Sequence, residues 1–198
     1  MALNEDKGLF WNSLGGDRLY DAESMGKWLS KFFTSGVFAG DCAVTPGTGL
    51  SVNVAPGYVN IANPDAANPG GKVVIFDTST NLTLELADGS KNRIDTVVVE
   101  RNDNDREITL KIVKGTAATT PSATAPVRTA AIYQIVLAEI YIGAGATSIS
   151  SSNITDKRND PFVCGVITGT LNNFSYGTEA LLSGVDALAT GTFYFQYQ

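Results

Sequence analysis

Four charged side chains have the types and the spacing to form ion pairs on a β-strand. Arg93 and Asp95 are two residues apart, as are Asp156 and Arg158, and residues at this spacing on a strand face the same side. A guanidinium binds a carboxylate through two parallel hydrogen bonds. We therefore predict a single structural network in which one pair meets the other beneath a surface loop. A ligand-binding arginine and an intersubunit salt bridge are the alternatives.

The sequence does not contain the residues that most catalytic mechanisms need. The sequence contains no histidine, which excludes Ser-His-Asp and Cys-His machinery and histidine metal ligands. Cys42 and Cys164 form no C-x-x-C pair, so we expect buried reduced thiols, with a disulfide between them as the alternative. Neither a phosphate-binding loop nor a G-x-S-x-G motif occurs. We predict no enzyme and no cofactor, although a glycosidase-type carboxylate pair among the 20 acidic residues stays open.

One acidic segment has carboxylates of the type that bind calcium. Asp103, Asp105 and Glu107 follow one another at alternate positions, in what reads as a hairpin loop between two strands. An EF-hand is excluded, because its sixth position would be Ile108 instead of glycine and its twelfth Lys114 instead of glutamate. The segment is interpreted as a solvated turn, with an irregular calcium site as the alternative, and no metal site is predicted.

The composition limits the kinds of protein to which this chain can belong. The 198 residues are 43% hydrophobic, only 17% charged, and carry a net charge of −6. Such a chain can bury a core, and its acidic surface repels phosphate backbones, so we expect no nucleic acid partner. The most apolar stretch, residues 130–146, is too short and too polar for membrane insertion. The first residues lack a signal-peptide pattern, so we expect folding in a cytosol.

The elements that position these residues are one helix and many strands. Asp21 is a good N-cap and Gly36 a good stop for a helix over about 21–34. The apolar stripe of this helix consists of Met25, Trp28, Leu29, Phe32 and Phe33. Strands are predicted at 50–54, 58–61, 73–76, 82–86, 94–100, 108–113, 132–142 and 162–168. This spacing predicts a mainly β protein, with a β-sandwich or barrel-like domain and one N-terminal amphipathic α-helix.

The chain is predicted to have three parts. They are an N-terminal attachment arm (1–16), a helix plus β domain (17–168) and a C-terminal extension (169–198). The extension ends in a β-strand that pairs either within the chain's own sheet or with a neighbouring subunit. Aromatic residues in the arm, the helix and the terminal strand are the candidate subunit interface. These residues are Phe10, Trp11, Trp28, Phe193, Tyr194, Phe195 and Tyr197.

Several segments carry a family resemblance. They are DRLYDAESM (17–25), SGVF (35–38), VAPGYVNI (54–61), RIDTVVV (93–99), ITDKRND (154–160) and CGVIT (164–168). In order and spacing, the chain over 17–168 resembles the N-terminal attachment domain of tailed-bacteriophage baseplate and receptor-binding (tail fibre) structural proteins. Such proteins occur in phages and prophages of Gram-positive bacteria.

This resemblance implies a non-catalytic virion protein. In that family a β-rich module with a leading helix attaches to the tail or baseplate as a multimer, and a host-recognition region follows. Here 30 residues (198 − 168) follow Thr168, too few for an independent receptor-binding head. The expected function is therefore an anchor or adaptor for host-recognition components at the tail tip or baseplate. Assembly would take place in the bacterial host cytoplasm.

The expected partners are other tail or baseplate proteins and further copies of the chain, as a trimer or hexamer. Two other functions stay open. A carbohydrate-binding module would stack Tyr58, Tyr176 or Tyr194 on host cell-wall polysaccharide. An enzyme acting on cell-wall polymers is the third possibility.

Overall fold

The computed structural model describes residues 22–67, 69–167, 174–177 and 193–196. By its contacts the chain divides into two compact units, Met1–Thr168 and Gly169–Gln198. The fold class expected from the sequence is confirmed. The protein is mainly β, with antiparallel sheets in a sandwich-like domain and one short helix near the N-terminus.

The first unit contains the helix and ten strands among its described residues. The helix α1 spans Ala22–Leu29. In chain order the strands are β1 (Gly36–Val37), β2 (Val44–Pro46), β3 (Ser51–Val54), β4 (Gly57–Ile61), β5 (Lys72–Phe76), β6 (Thr80–Thr83), β7 (Arg93–Asn102), β8 (Glu107–Val113), β9 (Ile132–Ile142) and β10 (Ile154–Asp156). A 3₁₀ turn, Ser151–Asn153, precedes β10.

Three antiparallel sheets enclose one core. Two are three-stranded, with orders β1-β4-β5 and β2-β3-β6, and the third has the order β10-β9-β7-β8. Alternate residues of β3 and β4 in the small sheets and of β7 and β9 in the large sheet meet in the same apolar cluster. The cluster includes Val52, Val54, Val59, Ile61, Val97, Val99, Leu137 and Ile140. The burial of these branched side chains against each other holds the sheets together.

The helix is shorter than predicted, and it docks through glycine. After Leu29 the backbone bonds tighten, with the N–H of Lys31 donating to the carbonyl of Trp28 at 3.0 Å. The Ser30 hydroxyl also donates to a backbone carbonyl, which competes with regular helix. Gly26 is the buried helix residue, so the predicted apolar stripe is not the face that α1 buries. The predicted N-cap, Asp21, lies outside the described residues.

The other predicted elements agree with the structure over 50–142 and differ from it elsewhere. The strands between 50 and 142 are present, with ends shifted by at most about three residues. The strand predicted over 162–168 is wrong, because Pro161–Val163 form a turn and only Val166 bridges to Val37. Gly36, predicted to end the helix, lies in β1. The short strands β1, β2 and β10 carry too few residues for a sequence pattern.

The second unit is described at two strands, β11 (Phe174–Gly177) and β12 (Phe193–Gln196). They pair in parallel, with Phe174 opposite Phe193 and Gly177 opposite Gln196. The predicted terminal strand is therefore present, and its partner in the described residues belongs to the same unit.

Candidate functional site

The first predicted ion pair is buried at one end of β7. Arg93 is 2% exposed, and its Nε donates to Asp95 Oδ1 at 3.0 Å and to Oδ2 at 3.2 Å. Its Nη1 donates to the carbonyl of Leu86 at 2.5 Å and its Nη2 to that of Glu85. Asp95 also accepts the N–H of Gly115 at 2.9 Å. The pair thus fastens two loops to β7, and its burial leaves no path for a ligand in solution.

The second predicted pair lies nearer the surface. Arg158 donates from Nε to Asp156 Oδ1 at 2.9 Å and from Nη2 to Oδ2 at 2.6 Å. Its Nη1 reaches the carbonyl of Asp41 at 2.6 Å. The hydrogen bond from Arg158 lowers the pKa of the Asp156 carboxyl. This pair ties β10 to the loop that carries Asp41.

The single network predicted from these four residues is wrong. Asp95 on β7 pairs with Ile140 on β9, and Ile140 pairs in turn with Ile154 on β10. The strand β9 therefore lies between the two pairs, at about 10 Å across two strand spacings. Each arginine instead donates hydrogen bonds to the aspartate two residues away and to the backbone of a neighbouring loop.

A third pair of the same kind was missed in the sequence. Arg101 is 1% exposed and donates from Nη2 to Asp103 Oδ1 at 2.7 Å. Its Nη1 donates to the carbonyls of Ile61 at 3.0 Å and Gly70 at 2.9 Å. The signal was available, since Arg101 and Asp103 have the same spacing as Arg93 and Asp95. We call these three arrangements the arginine clamps: Arg93–Asp95, Arg101–Asp103 and Asp156–Arg158.

The hairpin segment considered for calcium is a turn between β7 and β8. Asn102 Nδ2 donates to Asp105 Oδ2 at 2.6 Å, and Asp103 is occupied by Arg101. Over the described ranges of the chain, no group of three His, Cys, Asp or Glu side chains could hold a metal ion.

Both cysteines are free and buried. Burial raises the pKa of Cys42 to about 11, and burial also raises that of Cys164 to about 12. Both thiols are therefore protonated near neutral pH, and a protonated thiol is a poor nucleophile.

A polar network lies on the other face of β7. Glu100 accepts Lys111 Nζ at 2.5 Å and Gln134 Nε2 at 2.7 Å, and Gln134 Oε1 accepts the N–H of Val127. Burial favours the neutral form of Glu100, yet these hydrogen bonds outweigh it and lower its pKa. The network holds the segment before β9 against the sheet.

Charged side chains line two of the surface cavities in the described part of this unit. One of about 560 Å³ lies between the start of α1, β5 and the β7–β8 turn, and charged side chains of both signs line it. They are Glu23, Lys72, Arg101, Asp103, Arg106 and Glu107. In another, of about 470 Å³, Arg128 stacks 5.1 Å above the ring of Tyr133. Such mixed, open surfaces suit polar partner segments better than an apolar small molecule.

The candidate interface residues are only partly described. Trp28 is exposed and packs on Phe32 with ring centroids 4.7 Å apart. Phe193, Tyr194 and Phe195 lie in β12. Phe10, Trp11 and Tyr197 lie outside the described residues. Tyr58, a candidate for sugar stacking, is exposed and contacts Phe38 edge-on at 6.2 Å.

Comparison of the chain with protein-family models, with curated proteins and with solved structures found no match. In the described part of the chain, no helix is long and apolar enough to span a membrane.

Proposed function

We propose that this protein is a structural subunit of a bacteriophage tail tip or baseplate. It acts there as an anchor or adaptor for host-recognition components. We propose that it works as a homo-oligomer beside other tail proteins, and that its place is the virion. The proposal starts from the sequence resemblance over 17–168 and draws support from the way those segments pack.

The observation that carries the proposal is the convergence of four resemblance segments. The N–H of Val37 donates to the carbonyl of Gly165 at 3.0 Å, and that of Ile167 donates back to Val37 at 2.7 Å. Arg158 holds the loop after β1 by donating a hydrogen bond to the backbone carbonyl of Asp41. In the same loop, the N–H of Cys42 donates to the carbonyl of Pro56. Residues that the resemblance singles out thus join distant parts of one scaffold, as expected of a shared structural module.

The chemistry of the site also favours a structural role. Each arginine clamp uses its guanidinium to hold a loop carbonyl, and both thiols are buried and protonated. These polar groups serve to fix loops on strands. Loops fixed in this way present a constant surface to neighbouring subunits.

The test is immunogold electron microscopy of purified particles, with an antibody against this chain. We expect gold at the distal end of the tail. Gold elsewhere on the particle would support a virion protein in another position. Unlabelled particles, with the protein confined to the soluble fraction, would refute the proposal.

A carbohydrate-binding module is the second candidate, and the exposed ring of Tyr58 favours it. Aromatic rings at a protein surface stack on sugar faces. Purified protein would be titrated with host cell-wall polysaccharide, using Tyr58→Ala as the test variant and Tyr141→Ala, another exposed tyrosine, as the control. Binding that Tyr58→Ala alone abolishes would support this function, and no binding of the parent protein would dismiss it.

A further inference from the structure

The side chain of Arg128 has no acidic partner. Arg93, Arg101 and Arg158 each pair with an aspartate two residues away. Arg128 forms no ion pair or side-chain hydrogen bond with any residue that the structure describes. Its guanidinium carbon lies 5.1 Å from the centre of the Tyr133 ring, at a distance where the ring attracts the cation. In a chain of net charge −6, this arginine offers a positive charge that no carboxylate neutralises.

The backbone around Arg128 is fixed by pairing with the start of β9. The N–H of Gln134 donates to the carbonyl of Val127 at 2.9 Å, and Gln134 Oε1 accepts the N–H of Val127 at 2.9 Å. Arg128 itself forms an antiparallel bridge with Tyr133, the residue whose ring it covers. The bridge and the ring together restrict the guanidinium before any ligand arrives, which reduces the entropy lost on binding.

Arg128 lines the cavity of about 470 Å³, and it is the only charged residue among the described residues that line it. The cavity beside α1 differs, because carboxylates there accompany the cations. The neighbouring Asp160 does not line the cavity of Arg128, and its carboxylate accepts the N–H of Phe162 at 3.0 Å. The lining also contains Ile135 and Cys164, which are 1% and 5% exposed. This volume and the partly apolar lining suit a small ligand.

Other groups of this cavity can donate hydrogen bonds. Asn159 lines it, is exposed, and forms no side-chain hydrogen bond with any described residue. Gly165 and Val166 line it too, and their backbone N–H groups donate to no described acceptor. Gly165 has a φ of 92°, and successive N–H groups beside a residue of positive φ are a common way of binding an anion. The cavity therefore combines one cation with several donors.

We propose that this cavity binds a small anionic ligand through a carboxylate or a phosphate group, which Arg128 recognises. A guanidinium donates two parallel hydrogen bonds to either group. Asn159 and the two backbone N–H groups supply further donors, and the body of the ligand lies against Tyr133 and Ile135. The proposal does not depend on the virion role, and either one can fail without the other.

The first test is isothermal titration calorimetry of the full chain with three sugars of similar size, each up to about 10 mM. Glucose 6-phosphate carries a phosphate, glucuronate carries a carboxylate, and glucose carries no charge. We expect binding of at least one of the two anions and none of glucose, and the tighter anion identifies the group that the cavity takes. Binding of neither anion, or binding of glucose as tight as that of the anions, overturns the proposal.

Charge variants test whether the bound anion occupies this cavity. Arg128→Gln removes the charge but keeps a long polar side chain, and it should raise the dissociation constant at least about tenfold. Asn159→Asp adds a carboxylate to the cavity without changing the arginine, and it should weaken binding as strongly.

The matched control is Arg106→Gln, at an exposed arginine that does not line this cavity. It makes the same change of net charge and should bind the anion as the parent protein does. Thermal unfolding of each variant verifies that it is folded. Equal binding by Arg128→Gln, Asn159→Asp and the control would show that the anion binds elsewhere, and would overturn the proposal.

Discussion

At the scale of single residues, the arginine clamps are the most informative feature. Arg93 and Arg101 lie at the two ends of β7, on the face whose middle carries Val97 and Val99 in the core. Each guanidinium thus lies at one end of the apolar layer, where it pairs with its aspartate and also donates to backbone carbonyls of neighbouring segments. Arginine suits this role because its planar fork serves a carboxylate and a carbonyl together.

The clamp at Arg93 predicts a large loss of stability when it is broken. Arg93→Ala leaves the buried Asp95 without its guanidinium partner, so the free energy of unfolding should fall by about 3–5 kcal/mol. Arg93→Lys should recover little, since a lysine cannot hold the same fork. Urea unfolding measures both. Arg158→Ala, at the more exposed clamp, is the comparison, and an equal loss there would contradict the role of burial.

The network around Glu100 predicts acid sensitivity. Its pKa is lower in the folded protein than the ordinary 4.5. Its contribution to stability is therefore complete above about pH 4.5 and is lost as the pH falls through the lower folded value. Glu100→Gln should flatten the stability curve between about pH 5 and 3. Chemical unfolding at each pH measures this, and a curve parallel to that of the parent would contradict it.

At the scale of elements, the helix is positioned by backbone contact. The N–H of Gly71 donates to the carbonyl of Gly26 at 3.1 Å. A Cβ added at Gly70 would lie 2.4 Å from the backbone carbon of Gly26. No side chain fits between the two segments, so α1 rests directly on the connection that precedes β5.

This close approach predicts that Gly70→Ala destabilises the first unit. The added methyl group must push α1 away from the segment at Gly70. This should lower the free energy of unfolding by about 1–3 kcal/mol, as overpacking of a core does. The control is Gly89→Ala, where an added Cβ meets nothing within 4 Å. Thermal unfolding followed by circular dichroism compares them. Equal melting temperatures would show that the helix tolerates being displaced.

At the scale of the whole molecule, the chain consists of two units of unequal size. The larger has its own core, whereas the second is described as a single pair of four-residue strands. The run of uncharged aromatic residues in β12 is of the kind that can also pair with a strand of a neighbouring molecule.

On the proposed role in the virion, removal of residues 190–198, which deletes β12, should lower incorporation of the protein into particles. The control removes only Tyr197 and Gln198 and leaves β12 intact. Quantitative immunoblots of purified particles compare the variants with the parent chain. Full incorporation of the longer truncation would exclude a role for the terminal strand in assembly.

The sequence by itself determined the class of the fold and most of its strands. Alternation of apolar and polar residues is local, so β3, β4, β7, β8 and β9 could be read directly. The spacing of arginine and aspartate was also local. It correctly placed Arg93 and Asp95 on one face of β7, whereas Arg158 lies in a turn after β10 and still pairs with Asp156.

Only the tertiary structure decided what those residues contact. The intervention of β9 separates the clamps at Arg93 and Arg158, and sheet order is not encoded in any local pattern. The segment 162–168 has the composition of a strand. The chain turns at its start instead, and there the N–H of Cys164 donates to the carbonyl of Asp160. Likewise, the helix buries Gly26 because another backbone approaches it there. Such close approaches depend on residues far apart in the chain, and their physical cause is packing.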